Sequence, residues 1–472
     1  MGDWADCKLA EKPDDVCGRV RNHIRSANLW RIPGADQDST RTHIISPEPF
    51  QLTSAQVDEL RALGDALLAF YSAMNDLYLR AGNKWVNEYL DIGKPDDLLR
   101  HARMKYQKSA LPGIIRPDIL ITDNGFKITE LDSVPGGFGH LDCLSAAYVG
   151  SGFDLIGSAR GVRDLFADML RGASGTADPV CAIMVSDESI DYLPEMAYLA
   201  GELREIGLRA WTVRPREVVF TEEGLYIDCE GEQVRIDVLY RFFELFDLLN
   251  IPKAELVSYA ARKKLVTVTP PYKPYLEEKM LLALLHHSAL EDYWRTSLGN
   301  EKFALLKRAI VPTFILDNRP VPPYAEISGF RWKGRPIRDW RVMSEGTQKE
   351  RQFVIKPSGF SPLAWGSRGV KVGHDMPQEE WAEAVDTALA SFGSTPYVLQ
   401  QFLDTLLIGV KYCEEPGGAI REMRARVRLC PYYFVIDGRA EMGGVLATSV
   451  PRDKKLIHGM VDAIISPCSL RK

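Results

Sequence analysis

The pattern of apolar and polar positions divides the chain into three stretches. Over residues 1–112 apolar residues recur at helical spacing, most clearly in "SAQVDELRALGDALLAFYSAMNDLYL", which predicts a long amphipathic helix capped by Ser54. Residues 113–265 open with "RPDILITDNGFKITELD" (116–132), whose period-two alternation about Asp-Asn-Gly predicts a β-hairpin. Apolar strands "VCAIMV", "LRAWTV" and "VRIDVLYRFF" then alternate with the helix "YLPEMAYLAGELREIG", the signature of a parallel, Rossmann-like unit. No G-x-G-x-x-G follows any of these strands, so no dinucleotide site is expected. Residues 266–472 continue with a helical region to about 310 and an irregular Pro-, Arg- and Gly-rich segment to about 350. A second α/β module begins at "RQFVIKPSGFSPLAWGSRGVKVG", runs through the strand "YVLQQFL", and ends in a strand pair turning at Asp437-Gly438. The expected class is mixed α/β.

The hairpin carries Arg116, Asp118, Glu130 and Asp132 within its strands rather than at its tip. A three-residue Asp123-Asn124-Gly125 loop, with Gly125 left-handed, pairs Thr122 with Phe126. Asp118 then opposes Glu130, and Arg116 opposes Asp132, on one face. Opposed Cβ atoms lie about 5 Å apart, so the acids surround a space suited to hard cations. A two-residue loop instead sends the two strands' acids to opposite faces. The competing reading is a solvated edge whose charges prevent aggregation.

Composition narrows the function. The balance of 58 basic and 64 acidic residues, with no Lys/Arg-rich run, points away from nucleic acid and anionic membrane. The eight cysteines show no C-x-x-C or zinc spacing and read as reduced thiols. "MGDWADCKLAEKPDD" is too acidic and polar for a targeting segment, and no apolar run approaches a membrane span. A cytoplasmic protein is expected.

One lysine stands where phosphate chemistry needs it. Lys356 ends an apolar strand and precedes a loop with Gly359, Gly366 and Gly369, an arrangement for gripping phosphate without the Walker spacing. Lys279, in "LEEKMLLALL", lies on a helix face where Glu and Lys commonly face solvent. Arg424, Arg426 and Arg428 alternate along one strand face, which suits either solvent or a phosphate wall.

From residue 113 onward the order of these features resembles the glutathionylspermidine synthase family of ATP-grasp ligases. Its R-x-D, eleven-residue gap and E-x-N motif is matched by Arg116, Asp118, Glu130 and, with Asp for Asn, Asp132. "TPPYKPYLEEKMLLALL" is similar to the family's first-lysine segment, "VIKPSG" to its second, "GSRG" to its Gly-Arg loop, and "VLQQFL" to its adenine hinge. The resemblance implies an ATP-grasp fold over 266–472, ATP and Mg²⁺ as cofactors, and small-molecule carboxylate and amine substrates. It assigns the metal to Asp118, Glu130 and Asp132, and the nucleotide to Lys279, Lys356 and the backbone of Gln400, Gln401, Phe402 and Leu403. It gives Arg116 and Arg368 to the acyl-phosphate oxygens, and places the polyamine near Asp187 and Glu188. The family's glutathione-contacting serines fall on Pro135 and Gly137, and its threonine on Phe242, so glutathione is not the expected substrate. The implied activity is ATP-dependent amide formation through an acyl phosphate. The alternative is a non-catalytic nucleotide-binding relative acting as scaffold or regulator.

Overall fold

The computed structural model describes residues 16–30, 43–80, 84–229, 231–322, 325–364, 366, 368–414, 418–455, 457 and 463–471. The polar N-terminal stretch 1–15 and Ser367 of the Gly-Arg loop lie outside them. The largest sheet is organised by the antiparallel pair Arg421–Ile436 and Arg439–Pro451. It turns at Asp437 (φ 49°) and Gly438 (φ 75°), the two positive φ angles of a type I′ turn. Ile464–Leu470 adds to one side; on the other, Ile114–Thr122 pairs with Arg421–Ile436 and Gly125–Asp132 forms the edge. Ile44–Ile45 and Phe50–Leu52 pair with Ile464–Leu470. One sheet thus draws strands from all three stretches of the chain.

The long helix is Ser54–Leu79, but its cap is Thr53 rather than Ser54. Thr53 Oγ1 accepts from the Gln56 N–H while Gln56 Oε1 accepts from the Thr53 N–H, a reciprocal capping box. Its buried Leu60, Leu67, Phe70 and Met74 share a core with Ile119, Ile121, Phe126 and Ile128 of the hairpin. The helix therefore backs the hairpin directly.

The Rossmann-like unit is a four-stranded parallel sheet in the order Thr267–Thr269, Val238–Phe242, Cys181–Val185, Ala210–Val213. "VRIDVLYRFF" is not one strand. Glu232–Arg235 joins a separate antiparallel sheet, and Val238–Phe242 starts after the chain bends at Asp237, whose Oδ2 accepts from the Val180 N–H at 2.9 Å. A third sheet, antiparallel, orders Thr313–Ile315, Tyr397–Gln401, Phe353–Pro357 and Lys371–Val372. Helix Gln378–Ala390 covers it through Trp381, Val385 and Leu389. The fold is mixed α/β, and among the described residues no helix is long and apolar enough to cross a membrane.

A buried ion pair fastens the N-terminal helices to this frame. Lys94 Nζ lies 2.5 Å from Glu278 Oε1, with neither side chain more than 1% exposed. Removing one partner of such a pair leaves the other charged and dry, at a cost of about 3–5 kcal/mol. Lys94→Met is expected to destabilise the fold by that amount, read as a lowered denaturation midpoint. An unchanged midpoint would show that Glu278 is satisfied by other groups.

Candidate active site

The hairpin opposes Asp118 to Glu130 and Arg116 to Asp132, as expected, but by a different route. Thr122 pairs with Gly125, not Phe126, so the loop has two residues; Gly125 does adopt positive φ, 83°. The odd residue is Thr129. Ile119 pairs with Ile128, then Asp118 with Glu130, leaving Thr129 as a β-bulge. Its physical reason lies in the side chains. Phe126, Ile128, Glu130 and Asp132 share one parity, so an unbroken strand would send the acids into the core with the apolar pair. The bulge reverses the phase: Phe126 and Ile128 remain buried while Glu130 and Asp132 emerge on the opposite face beside Asp118.

Two further segments meet this face. Lys279 is the residue before helix Met280–His286, and its Nζ lies 2.9 Å from Glu130 Oε1. Lys356 lies in Phe353–Pro357, and its Nζ donates to Gln400 Oε1 at 2.8 Å. Ser358 joins the two segments: its carbonyl accepts from the Lys279 N–H at 2.8 Å and its Oγ from the Met280 N–H at 3.0 Å. Gln400 then ties Lys356 to the bulge, donating through Nε2 to the Thr129 carbonyl and to Thr313 Oγ1. This side-chain role differs from the backbone role expected of the 400–403 segment. There the Gln401 N–H bonds Pro312 O and the Phe402 N–H bonds Gln352 O, while Leu403 is half-buried beyond the strand.

Asp118 is the most constrained acid. Arg428 Nη1 lies 2.8 Å from its Oδ2, Arg116 Nε 3.3 Å from its Oδ1, and the Cys430 thiol donates to Oδ1. Burial opposes its ionisation, but Arg116 and Arg428 outweigh burial and hold the carboxyl below its usual value. Burial likewise opposes the Glu130 charge and is outweighed by Lys279 and Lys356. Burial also lowers Lys356, partly offset by Glu130. For Asp132 burial wins: its carboxyl is raised although Arg116 Nη2 lies 2.8 Å from Oδ2 and the Val134 N–H donates to Oδ1. Among the described residues no three acids, histidines or cysteines converge as a metal cage. Two of the three expected ligands are already paired with arginine, Asp118 with Arg116 and Arg428 and Asp132 with Arg116. Asp118 and Glu130 remain an opposed pair of hard oxygen donors, which fits Mg²⁺, an ion commonly held by one or two carboxylates and substrate phosphates.

Of the alternating arginines, the structure singles out Arg428. Arg426 pairs with Asp404 and Arg452 O, while Arg424 is exposed. The buried Nε atoms of both Arg116 and Arg428 lack a hydrogen-bond partner, although Arg116 Nε is close to Asp118. Arg368 is not with them: its Nη1 pairs at 2.9 Å with Glu188, and Asp187 pairs with Arg214. Ahead of Arg368 in the chain, the Ala364 carbonyl accepts from Lys279 Nζ at 3.3 Å. Gly137 caps helix Phe138–Val149, and its N–H is taken by buried Glu195 at 2.7 Å. Phe242 is buried with its ring 5.3 Å from that of Tyr192. Neither offers a side-chain hydroxyl.

Beside Lys279 opens a cleft lined by Glu130, Asp132, Ser133, Glu244, Glu277 and Phe360, among others. Motif reading missed Ser133, Glu244 and Glu277; the only signal was the acid in "FFELF" and the Glu-Glu before Lys279. Glu277 is paired with fully buried Arg241. Burial, then the Glu277 and Asp132 carboxylates, push the Glu244 carboxyl up to about 8.

No protein-family model and no curated protein matches the chain. Among solved structures, it is similar to a glutathione synthetase-like effector from Globodera pallida, with a TM-score of 0.58 and 11% identity over 99% of this chain and 100% of that one. A Methylobacillus flagellatus protein provisionally described as a gamma-glutamylcysteine synthetase aligns over 88% and 87% of the two chains, at 10% identity and a TM-score of 0.42, too partial a likeness to define a shared fold. The chain shares the mixed α/β fold of the Globodera pallida effector.

Glu244 makes stability depend on pH. Its folded pKa, about 8, lies above the ordinary 4.5, so the folded state is progressively penalised as pH rises from the lower value through the higher. Glu244→Gln is expected to raise the melting temperature more at about pH 9 than at about pH 5. Equal gains at both would show that Glu244 ionises freely.

Proposed function

We propose that this protein is an ATP-dependent carboxylate–amine ligase: ATP phosphorylates a carboxylate, an amine displaces the phosphate, and an amide, ADP and phosphate result. The observation that carries this reading is the meeting of Lys279, Lys356, Arg116 and Arg428 around the opposed Asp118 and Glu130, on elements from distant parts of the chain. The pattern resembles the glutathionylspermidine synthases in motif order. The lack of hydroxyls at Pro135, Gly137 and Phe242 argues for a carboxylate other than glutathione.

In this reading Lys356 and Lys279 hold phosphate oxygens, Lys356 presented by Gln400 and Lys279 by the Ser358 carbonyl on its N–H. The buried Nε groups of Arg428, which has no hydrogen-bond partner, and of Arg116, ion-paired with Asp118 but not hydrogen-bonded, are donors for an oxyanion, since guanidinium has five N–H groups and gains most from anionic acceptors. Fixed cations of this kind cost no reorganisation as charge develops. Asp118 and Glu130 would hold Mg²⁺, which when bound neutralises charge on the transferring phosphoryl group. Asp132 orients Arg116. The Ala364 carbonyl further fixes the Lys279 ammonium.

Purified protein should release ADP from ATP and Mg²⁺ when supplied with mixed carboxylates and amines, and not when either class is omitted. Asp118→Asn and Glu130→Gln should each abolish release with circular dichroism unchanged; normal release in both would remove these acids from the mechanism. Lys356→Ala should weaken ATP binding by about 1.5–3 kcal/mol while sparing adenosine, because the lost contact is to phosphate. Equal losses by calorimetry would place the lysine elsewhere.

A further inference from the structure

Away from the hairpin acids, two thiols meet where an N-terminal helix lies against the large sheet. Helix Val16–Ser26 buries Cys17, Val20, Arg21 and Ile24, the spacing of one helical face seated on a core. Cys17, Val20 and Ile24 share that core with Ile45 and Cys413. Cys413 follows strand Leu407–Tyr412 and forms an isolated antiparallel bridge to Ile45. The Ile45 carbonyl accepts from the Cys413 N–H at 2.9 Å and lies 4.0 Å from the Cys17 sulfur. Arg21, one turn after Cys17, donates through Nη2 to the carbonyls of Cys413 and Glu414. A shared carbonyl and an arginine one turn away thus bring the two cysteines together. Their thiols hydrogen-bond, Cys17 donating to Cys413. Neither is in a disulfide, and each is only 1% exposed.

We propose that Cys17 and Cys413 are a modification site, at which hydrogen peroxide converts two thiols into a disulfide clamping helix Val16–Ser26 to the end of strand Leu407–Tyr412. The site is independent of the ligase reading. Cys413 is the attacking group. The hydrogen bond from Cys17 outweighs burial and, with the Arg21 charge, brings the Cys413 thiol down to about 7. Its thiolate attacks one peroxide oxygen: an S–O bond forms, the O–O bond breaks, and the other oxygen leaves as water after taking a proton. The Cys17 sulfur then attacks the sulfenic acid; the S–S bond forms, the S–O bond breaks, and the thiol proton leaves with the hydroxyl as water. Two thiols lose two electrons, and one peroxide becomes two waters. Access needs only local opening. The outer face of the helix, with Arg19, Asn22, His23 and Arg25, is exposed, so lifting one surface helix uncovers the pair without global unfolding. Other buried thiols lack this activation: burial pushes Cys143, Cys181 and Cys430 up to about 12. The bridge would close most of the chain into one loop, restricting the unfolded ensemble and so raising stability.

The test uses the full chain, reduced, freed of reductant and treated with hydrogen peroxide under native conditions. It is then unfolded, alkylated and digested without reduction for mass spectrometry. The expected product is a linked Cys17–Cys413 peptide lacking two hydrogens, which dithiothreitol returns to two separate peptides. Cys143, Cys181 and Cys430 should be recovered alkylated. Cys17→Ser should trap Cys413 as a sulfenic acid that dimedone labels, whereas Cys413→Ser should leave Cys17 unlabelled. The linked protein should melt several degrees above the reduced one, a shift that both serine variants lose. The peptide map needs no variant, so it decides even where a substitution disturbs the core. No linked peptide, a link from either cysteine to Cys7 or Cys229 instead, or oxidation spread evenly over all thiols would overturn the assignment. Equal midpoints for linked and reduced protein would refute the clamp.

Discussion

The site depends on one extra residue in one strand. Phe126 and Ile128 must face the core, and Glu130 and Asp132 must face away from it, yet all four share the parity that puts them on one face of a regular strand. Thr129 resolves the conflict by bulging. Without the reversal, either two carboxylates enter a core containing Leu60, Phe70 and Ile121, or two large apolar side chains leave it. Both alternatives are expensive, since an apolar side chain of this size contributes about 1.5–3 kcal/mol by burial and an unpaired buried carboxylate costs more. Core packing and acid placement are therefore the same constraint, imposed at one peptide.

That constraint was partly legible in the sequence. The pairing of Asp118 with Glu130 and of Arg116 with Asp132 follows from their spacing once an odd residue is allowed, and assigning the oddness to the turn gives the right partners. It also puts Phe126 and Ile128 on the acids' face, and that clash is what points to the bulge. The parallel order of the Rossmann-like unit, the Asp437-Gly438 turn and the long helix were readable because each rests on local periodicity or local φ preference. The split of "VRIDVLYRFF" was not, because the bend at Asp237 is fixed by a bond to Val180, 57 residues earlier. The capping box was hidden by adjacent residues of similar propensity, Thr53 and Ser54.

Among the candidate site residues, those legible from motif order converge: Arg116, Asp118, Glu130, Lys279 and Lys356. Those that escaped motif reading act through long-range geometry. Arg428 reaches Asp118 across 310 positions, and its neighbours Arg424 and Arg426, on the same face, do not. Arg368 was placed by a local loop motif, but its partner Glu188 comes from the Rossmann-like unit, so its position depends on how two sheets meet. Periodicity can say which face a side chain takes; it says nothing of which distant face arrives opposite.

The amide of Gln400 has a mechanical consequence. It accepts from the Lys356 ammonium while donating to the Thr129 carbonyl, so one side chain bolts the four-stranded antiparallel sheet to the bulge of the large sheet. Two-lobed enzymes commonly breathe by hinge rotation, and a rotation that parted these sheets here would break a buried amide's bonds before it admitted any ligand. Strand Lys371–Val372, one strand removed from Gln400 across Phe353–Pro357, lies outside this bolt.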